Sequence, residues 1–348
     1  MELRAHLLEG QVIPAFPLAL DARRKWSERH QRALARYYVE AGAGGLAVGV
    51  HSTQFEIRAP EHGLFRPVLE LARETVAQTV KRAPRAFALV AGVCGDTAQA
   101  VGEAEFARAT GYDAALLSLT AVKHEPLERI LEHVRRIADV LPVVGFYLQP
   151  AVGGRVFPYR FWREFADVPG VVAIKIAPFN RYQTLDVVRA VVEAGRGDIA
   201  LYTGNDDNIV ADLLTPYRFS SVPGAPVRRI VGGLLGQWGV WTRRAVEMLD
   251  EIKRVRNRAD IATEWLARGV ALTDVNAAVF DAANGFAGVI PGIHEVLRSQ
   301  GLMAGRWCLD PALELSVGQA EEIARVRAAY PEFTDDAFVA ENLERWLA

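Results

Sequence analysis

Val171-Val172-Ala173-Ile174-Lys175-Ile176-Ala177 is the stretch on which the reading of the chain turns. Between Val168 and Asn180 the only charged side chain is Lys175. The run is too short for a membrane helix and reads as a strand buried on both faces, the kind found in parallel sheets. Alternation puts Ala173, Lys175 and Ala177 on one face and Val172, Ile174 and Ile176 on the other. Lys175 therefore looks into space left by two small residues. Burial lowers a lysine's pKa, and a neutral amine is what attacks a carbonyl carbon. Of the 40 Lys and Arg residues only five are lysine, at positions 25, 81, 123, 175 and 253. The chain thus uses arginine wherever a positive charge suffices, and arginine cannot form an imine. The alternative reading is a structural lysine paired with a carboxylate, or one whose amine reaches out to solvent.

Outward from this strand the apolar runs recur with helix-length segments between them. They fall at Val12–Leu20, Leu46–Val48, Ala86–Cys94, Ala114–Leu119, Pro142–Leu148, Val171–Ala177, Ile199–Gly204 and Arg229–Leu235. Helical spacing marks residues 1–10 and stretches near 97–109, 125–138, 158–166, 181–195 and 206–215. Eight strands with crossovers of a dozen or more residues predict an α/β fold, a closed (β/α)8 TIM barrel. An open doubly wound sheet has fewer strands and a glycine-rich first turn, and no G-x-G-x-x-G follows the first strand here. An eighth helix is expected over Val240–Arg256. Further helices follow at Asp260–Arg268, Asp274–Asn284, Gly292–Gln300, Val317–Ala329 and Asp335–Leu347. The expected organisation is a barrel over residues 1–257 and a C-terminal helical extension over 258–348, packed on the barrel or on a subunit interface. Arg218–Arg228 reads as a long Ser/Pro/Gly-rich insertion of functional length.

Composition narrows the partners. A hydrophobic content of 51% and a formal net charge of −2 give no electrostatic bias toward nucleic acid or anionic membrane. Cys94 and Cys308, the only cysteines, make neither a disulfide framework nor a zinc site. With no signal-like leader and no apolar run of membrane-spanning length, the expectation is a cytoplasmic protein whose partners are small molecules and copies of itself. Asn205, Asp206 and Asp207 could suggest a metal. An aspartate capping the next helix is the simpler reading, so no metal and no cofactor are expected.

In a barrel, reacting groups sit at the carboxyl ends of strands. That rule groups Lys175 with Tyr147, near the end of the fifth strand, and with His51, Ser52 and Thr53, just after the second. Tyr147-Leu148-Gln149-Pro150 resembles the Tyr-Asn-x-Pro motif of the dihydrodipicolinate synthase / N-acetylneuraminate lyase family. Val172-Ala173-Ile174-Lys175 is similar to that family's Val-Gly-Ile-Lys, at the spacing the family shows between tyrosine and lysine. Tyr202-Thr203-Gly204-Asn205-Asp206-Asp207 resembles its Ser-Gly-Asp-Asp turn, and Val12-Ile13-Pro14-Ala15-Phe16-Pro17 its opening. The similarity runs from about residue 10 to 330.

The resemblance implies a class I, metal-free lyase, aldolase or related dehydratase or hydratase, acting on pyruvate or a larger 2-oxo acid with an aldehyde partner. Lys175 would be the imine-forming nucleophile and Tyr147 the acid/base. His51, Ser52, Thr53, Gly204 and Arg155 would bind substrate. Relatives are commonly dimers or tetramers, so a homo-oligomer is implied. The departures matter too. Gly49-Val50-His51-Ser52-Thr53-Gln54 stands where the family has Gly-Thr-Thr-Gly-Glu, and Ala121-Val122 replaces a Tyr-Tyr pair. These argue against a true dihydrodipicolinate synthase and leave a second reading, a catalytically weak barrel that binds a 2-oxo acid as a sensor or regulator.

Overall fold

In the computed structural model, residues 2–219, 224 and 226–348 are described. The elements follow the expected rhythm. Helix α1 (Leu3–Leu8) leads into β1 (Val12–Pro14), α2 (Glu28–Glu40), β2 (Gly45–Val48) and α3 (Phe65–Val80). Then come β3 (Ala88–Val93), α4 (Thr97–Thr110), β4 (Ala114–Leu117), α5 (Leu127–Ala138), β5 (Val143–Leu148) and α6 (Tyr159–Ala166). The remaining alternation is β6 (Val171–Ala177), α7 (Arg181–Glu193), β7 (Ala200–Thr203), α8 (Ile209–Leu214), β8 (Gly232–Leu235) and α9 (Thr242–Val255). The eight strands form one sheet in the order β1-β8-β7-β6-β5-β4-β3-β2. A parallel bridge between Ala15 and Ala47 joins the two ends of that order. This is the (β/α)8 topology, with further helices beyond α9.

Contacts divide the chain into two units. The first comprises residues 1–11 and 88–234, hence α1 and β3 through β8. Its strands are buried along almost their whole length, which is why their sequences run apolar instead of alternating. In register, Phe146 of β5 lies beside Lys175 and Tyr147 beside Ile176. Lys175 in turn lies beside Tyr202 of β7. At the other end of these strands the Tyr202 hydroxyl donates to Leu7 O (2.9 Å) and accepts from Gln11 N (3.1 Å). Arg4 of α1 donates to Val171 O (3.0 Å) and pairs with Asp198 (2.6 Å). One tyrosine and one arginine thus close that end with hydrogen bonds to backbone groups.

The second unit comprises residues 12–87 and 235–348. It adds α10 (Glu264–Val279), α11 (Val289–Ser299), α12 (Gln319–Ala329) and α13 (Asp336–Leu347) to β1, β2, α2, α3 and α9. Tyr37 of α2 lies with its ring 5.5 Å from that of Trp346 in α13, and its hydroxyl donates to the buried Asp335 carboxylate (2.7 Å). Gln300 Nε2 (2.8 Å) and Arg243 N (3.1 Å) donate to the same carboxylate. Burial pushes the Asp335 carboxyl up from its ordinary value while these three donors oppose the shift.

The helices beyond residue 257 group by their contacts with residues 12–87, α13 lying against α2 and α10, α11 and α12 against one another. Two differences from the sequence expectations have clear causes. Asp260–Arg268 and Asp274–Asn284 belong to one helix, α10. A single Gly269 costs a helix only about 1 kcal/mol, and Leu272, Val275 and Val279 continue its buried face. The first strand ends at Pro14 instead of Leu20, since Pro17 has no amide to give a ladder. Tyr217 and Arg228 pair antiparallel across the base of the 218–228 insertion; positions 220–223 and 225 of that segment lie outside the described residues.

Candidate active site around Lys175

β6 brings Lys175 to the carboxyl half of the sheet, on the same side as Ala177. A Cβ built on Gly204 would fall 2.7 Å from Lys175 Cε and 2.7 Å from Ala177 Cβ. Only glycine leaves the lysine room there. The amine lies 4.3 Å from the centroid of the Phe146 ring. Burial draws the Lys175 pKa down to about 8, with Asp206 acting in the opposite direction. The site thus holds an amine that is neutral in an appreciable fraction of molecules near physiological pH.

The turn carrying Gly204 and Asp206 is fixed by a buried polar network. Gly204 N donates to Ile176 O (2.7 Å). Asp212 of α8 is fully buried and accepts from Thr203 Oγ1 (2.6 Å), Asn205 Nδ2 (2.9 Å) and Asn208 Nδ2 (3.2 Å). Arg181 at the start of α7 pairs with the same carboxylate. Asn205 Oδ1 also accepts from Phe179 N (3.0 Å), holding a non-glycine residue at φ 52°. Sequence reasoning missed Asp212, although an aspartate in the otherwise apolar Ile209–Leu214 segment was the available signal. It also assigned the helix cap to Asp206 or Asp207. The cap residue is Asn208, and Asp206 instead acts electrostatically on Lys175.

Tyr147 is placed elsewhere. Gly145, two positions before it, faces Phe165 of α6, so alternation directs Tyr147 to the same helix-facing side and Phe146 to the lysine's side. The Tyr147 ring lies 4.7 Å from Trp162 and 6.2 Å from Phe157. Its hydroxyl accepts from Phe157 N (3.3 Å). Burial raises its pKa, and the acidic group it senses is Asp186 of α7. On the lysine's side β5 offers a phenylalanine ring.

Arg155 donates to Lys123 O (2.7 Å) and Glu125 O (2.9 Å), and Lys123 Nζ donates to Gly153 O (3.1 Å). The segments after β4 and β5 are thus clasped together. Leu119, Lys123, Phe146, Leu148, Arg155 and Phe157 are among the residues lining a cavity of about 10 Å³ between them. Among the described residues, neither Lys123 nor Arg155 has a carboxylate partner.

In the second unit, residues 51–53 form a single 3₁₀ turn after β2. Thr53 is buried, and its hydroxyl donates to Phe16 O (2.6 Å) while accepting from Gly49 N (3.0 Å) and Val50 N (3.2 Å). These three bonds engage the donor and both acceptor sites of the hydroxyl. Ser52 is buried with no partner for its Oγ. His51 is exposed, its ring 6.1 Å from that of Phe55. Among the described residues no group of three or more His, Cys, Asp or Glu side chains could hold a metal ion, and no helix is long and apolar enough to cross a membrane.

Fold and site together define a (β/α)8 barrel protein with a reactive amine on its sixth strand. The chain belongs to the dihydrodipicolinate synthetase family, whose model matches residues 9–217. It is 28% identical over 187 residues to a 4-hydroxy-tetrahydrodipicolinate synthase of Ralstonia nicotianae, a match spanning 53% of this chain and 58% of that relative. A synthase of the same name from Cyanothece sp. is 27% identical over 235 residues, covering 65% and 71% of the two chains. Among solved structures, the dihydrodipicolinate synthase of Agrobacterium tumefaciens superposes with a TM-score of 0.72 at 18% identity, over 93% of this chain and 99% of that one. N-acetylneuraminate lyase from Fusobacterium nucleatum, complexed with pyruvate, gives 0.69 at 18% identity, over 94% and 98%. At such identities the structural likeness establishes the fold alone.

Proposed function

We propose that the protein is a Schiff-base-forming lyase or aldolase, or a related dehydratase or hydratase, acting on pyruvate or a larger 2-oxo acid. The observation that carries this reading is the Lys175 amine, set at the end of an apolar strand with its pKa drawn down to about 8. Membership of a family with lyases and synthases among its relatives supports it. In the proposed reaction the neutral amine adds to the C2 carbonyl, and the carbinolamine takes up a proton from solvent and loses water, leaving a protonated imine. The C4 hydroxyl gives up its proton to water as the electron pair of the C3–C4 bond flows toward the iminium nitrogen, releasing an aldehyde and leaving an enamine. Protonation at C3 and hydrolysis return pyruvate and the free amine, and condensation is the same path reversed.

Lys123 and Arg155, cations without carboxylate partners among the described residues, suit a substrate with a second acidic group. Ser52 is proposed to hold a substrate carboxylate oxygen, Gly204 to leave room for the imine, and His51 to contact substrate from its exposed turn. The acid/base role that the resemblance implies for Tyr147 draws no support from the placement of its hydroxyl, which accepts from Phe157 N. The Ala121-Val122 replacement continues to argue for an activity other than that of a true dihydrodipicolinate synthase, in a homo-oligomer. The test is pyruvate release from 4-hydroxy-2-oxo acids with and without a distal carboxylate, comparing wild type with Lys175→Arg. Turnover should occur in wild type, favour the diacid and fall at least about 10³-fold in the variant. Binding without turnover in any compound of the panel would favour the sensor reading.

A further inference from the structure

The β5 register sets Phe146 beside Lys175, with the amine 4.3 Å from the ring centroid and the lysine residue half-buried among buried strand neighbours. Among the described residues Nζ makes no hydrogen bond or ion pair. A cation at that nitrogen is disfavoured by burial, yet an imine must be protonated there to draw electrons from the adjacent carbon. An aromatic face attracts a cation through its quadrupole and has no lone pair with which to take the proton. A carboxylate at the same place would hold the ammonium too firmly for it to become a nucleophile. We propose that the Phe146 ring is the group that holds the cationic states of Lys175 Nζ, the ammonium in the resting protein and the iminium in the adduct.

The iminium half of this proposal rests on the Schiff-base reading above; the ammonium half does not. The other charged groups at the site are Asp206, on the turn after β7, which acts on Lys175, and Lys123 and Arg155, which line the cavity that Phe146 also lines. Asp206 favours a positive Nζ. None of them changes when Phe146 is replaced, so such a variant isolates the ring. Tyr147, one position on, has its ring in the aromatic layer of Phe157 and Trp162. Replacing its hydroxyl leaves the cation's surroundings as they are.

The test is a ¹³C NMR titration of the reductively methylated protein. Five lysines give few resonances, and Lys175→Arg identifies the one that matters. Wild type should titrate near 8. Phe146→Leu, which keeps an apolar side chain and removes the ring, should titrate about one pH unit lower. Phe146→Tyr, which keeps the face, should titrate with wild type, as should Tyr147→Phe. An unmoved midpoint in a folded Phe146→Leu protein, or a moved one in Tyr147→Phe, overturns the proposal. Should Phe146→Leu fail to fold, Phe146→Met takes its place with the same two outcomes. Borohydride trapping with pyruvate on the same variants then reads the iminium. Adduct in wild type that is reduced about tenfold in the ring-less variant supports that half, and equal adduct overturns it. No adduct even in wild type defeats the Schiff-base reading while the titration still decides the ring's hold on the ammonium.

Discussion

Lys175 gives the pH behaviour its sign. Its folded pKa of about 8 lies below the ordinary lysine value of 10.5, so the native protein releases this proton before the unfolded chain does. Burial of the charged amine therefore costs stability below about pH 8, and that cost fades as pH rises from 8 toward 10.5. The sign is opposite to that of an ion-paired lysine. For chemistry, the neutral fraction grows through the same window. The initial rate of imine formation with pyruvate should rise about tenfold per pH unit below 8 and level off above it. A rate flat between pH 6 and 9, followed by stopped-flow absorbance, would contradict a reactive amine with this pKa. At this scale the sequence was legible where chemistry and burial coincide: one lysine among apolar neighbours. It was not legible where side-chain direction matters. Tyr147 has the expected distance along the chain from Lys175, but its position on β5 faces α6, and a motif does not encode which face a strand presents.

The β6–β7 pair with its following turn is the element that makes the site. Gly204 is required by the close approach of Lys175 Cε and Ala177 Cβ. The Asp212 network with Thr203, Asn205 and Arg181 keeps that turn from yielding. A methyl group at position 204 would meet Lys175 Cε and Ala177 Cβ at 2.7 Å each, so the lysine's flexible end has to shift from its place. Gly204→Ala should slow imine formation about tenfold or more, since overpacking of this kind costs ~1–3 kcal/mol. A rate equal to wild type would show that the amine has slack the packing does not reveal. The elements themselves were largely readable, because fully buried parallel strands write themselves as apolar runs; β6 coincides with the quoted stretch, Val171–Ala177. The network was not readable, since Thr203, Asn205 and Asp212 come from a strand, a turn and a helix that only the fold assembles.

For the molecule as a whole, eight apolar runs and their crossovers were enough to give the barrel topology. The grouping of the C-terminal helices was not available from periodicity. It depends on Asp335, Tyr37, Gln300 and Arg243 meeting at one buried carboxylate, residues that stand nearly 300 positions apart at the extremes. Family membership accords with the lysine strand. The central claim is that Lys175 forms a covalent imine with a 2-oxo acid. The most direct measurement is intact-protein mass spectrometry after borohydride treatment at pH 8 with pyruvate and with a panel of larger 2-oxo acids, comparing wild type with Lys175→Arg. A stable mass increment of the reduced adduct in wild type, absent from the variant, is the predicted result. No increment with any 2-oxo acid, or an equal increment in both proteins, would contradict it.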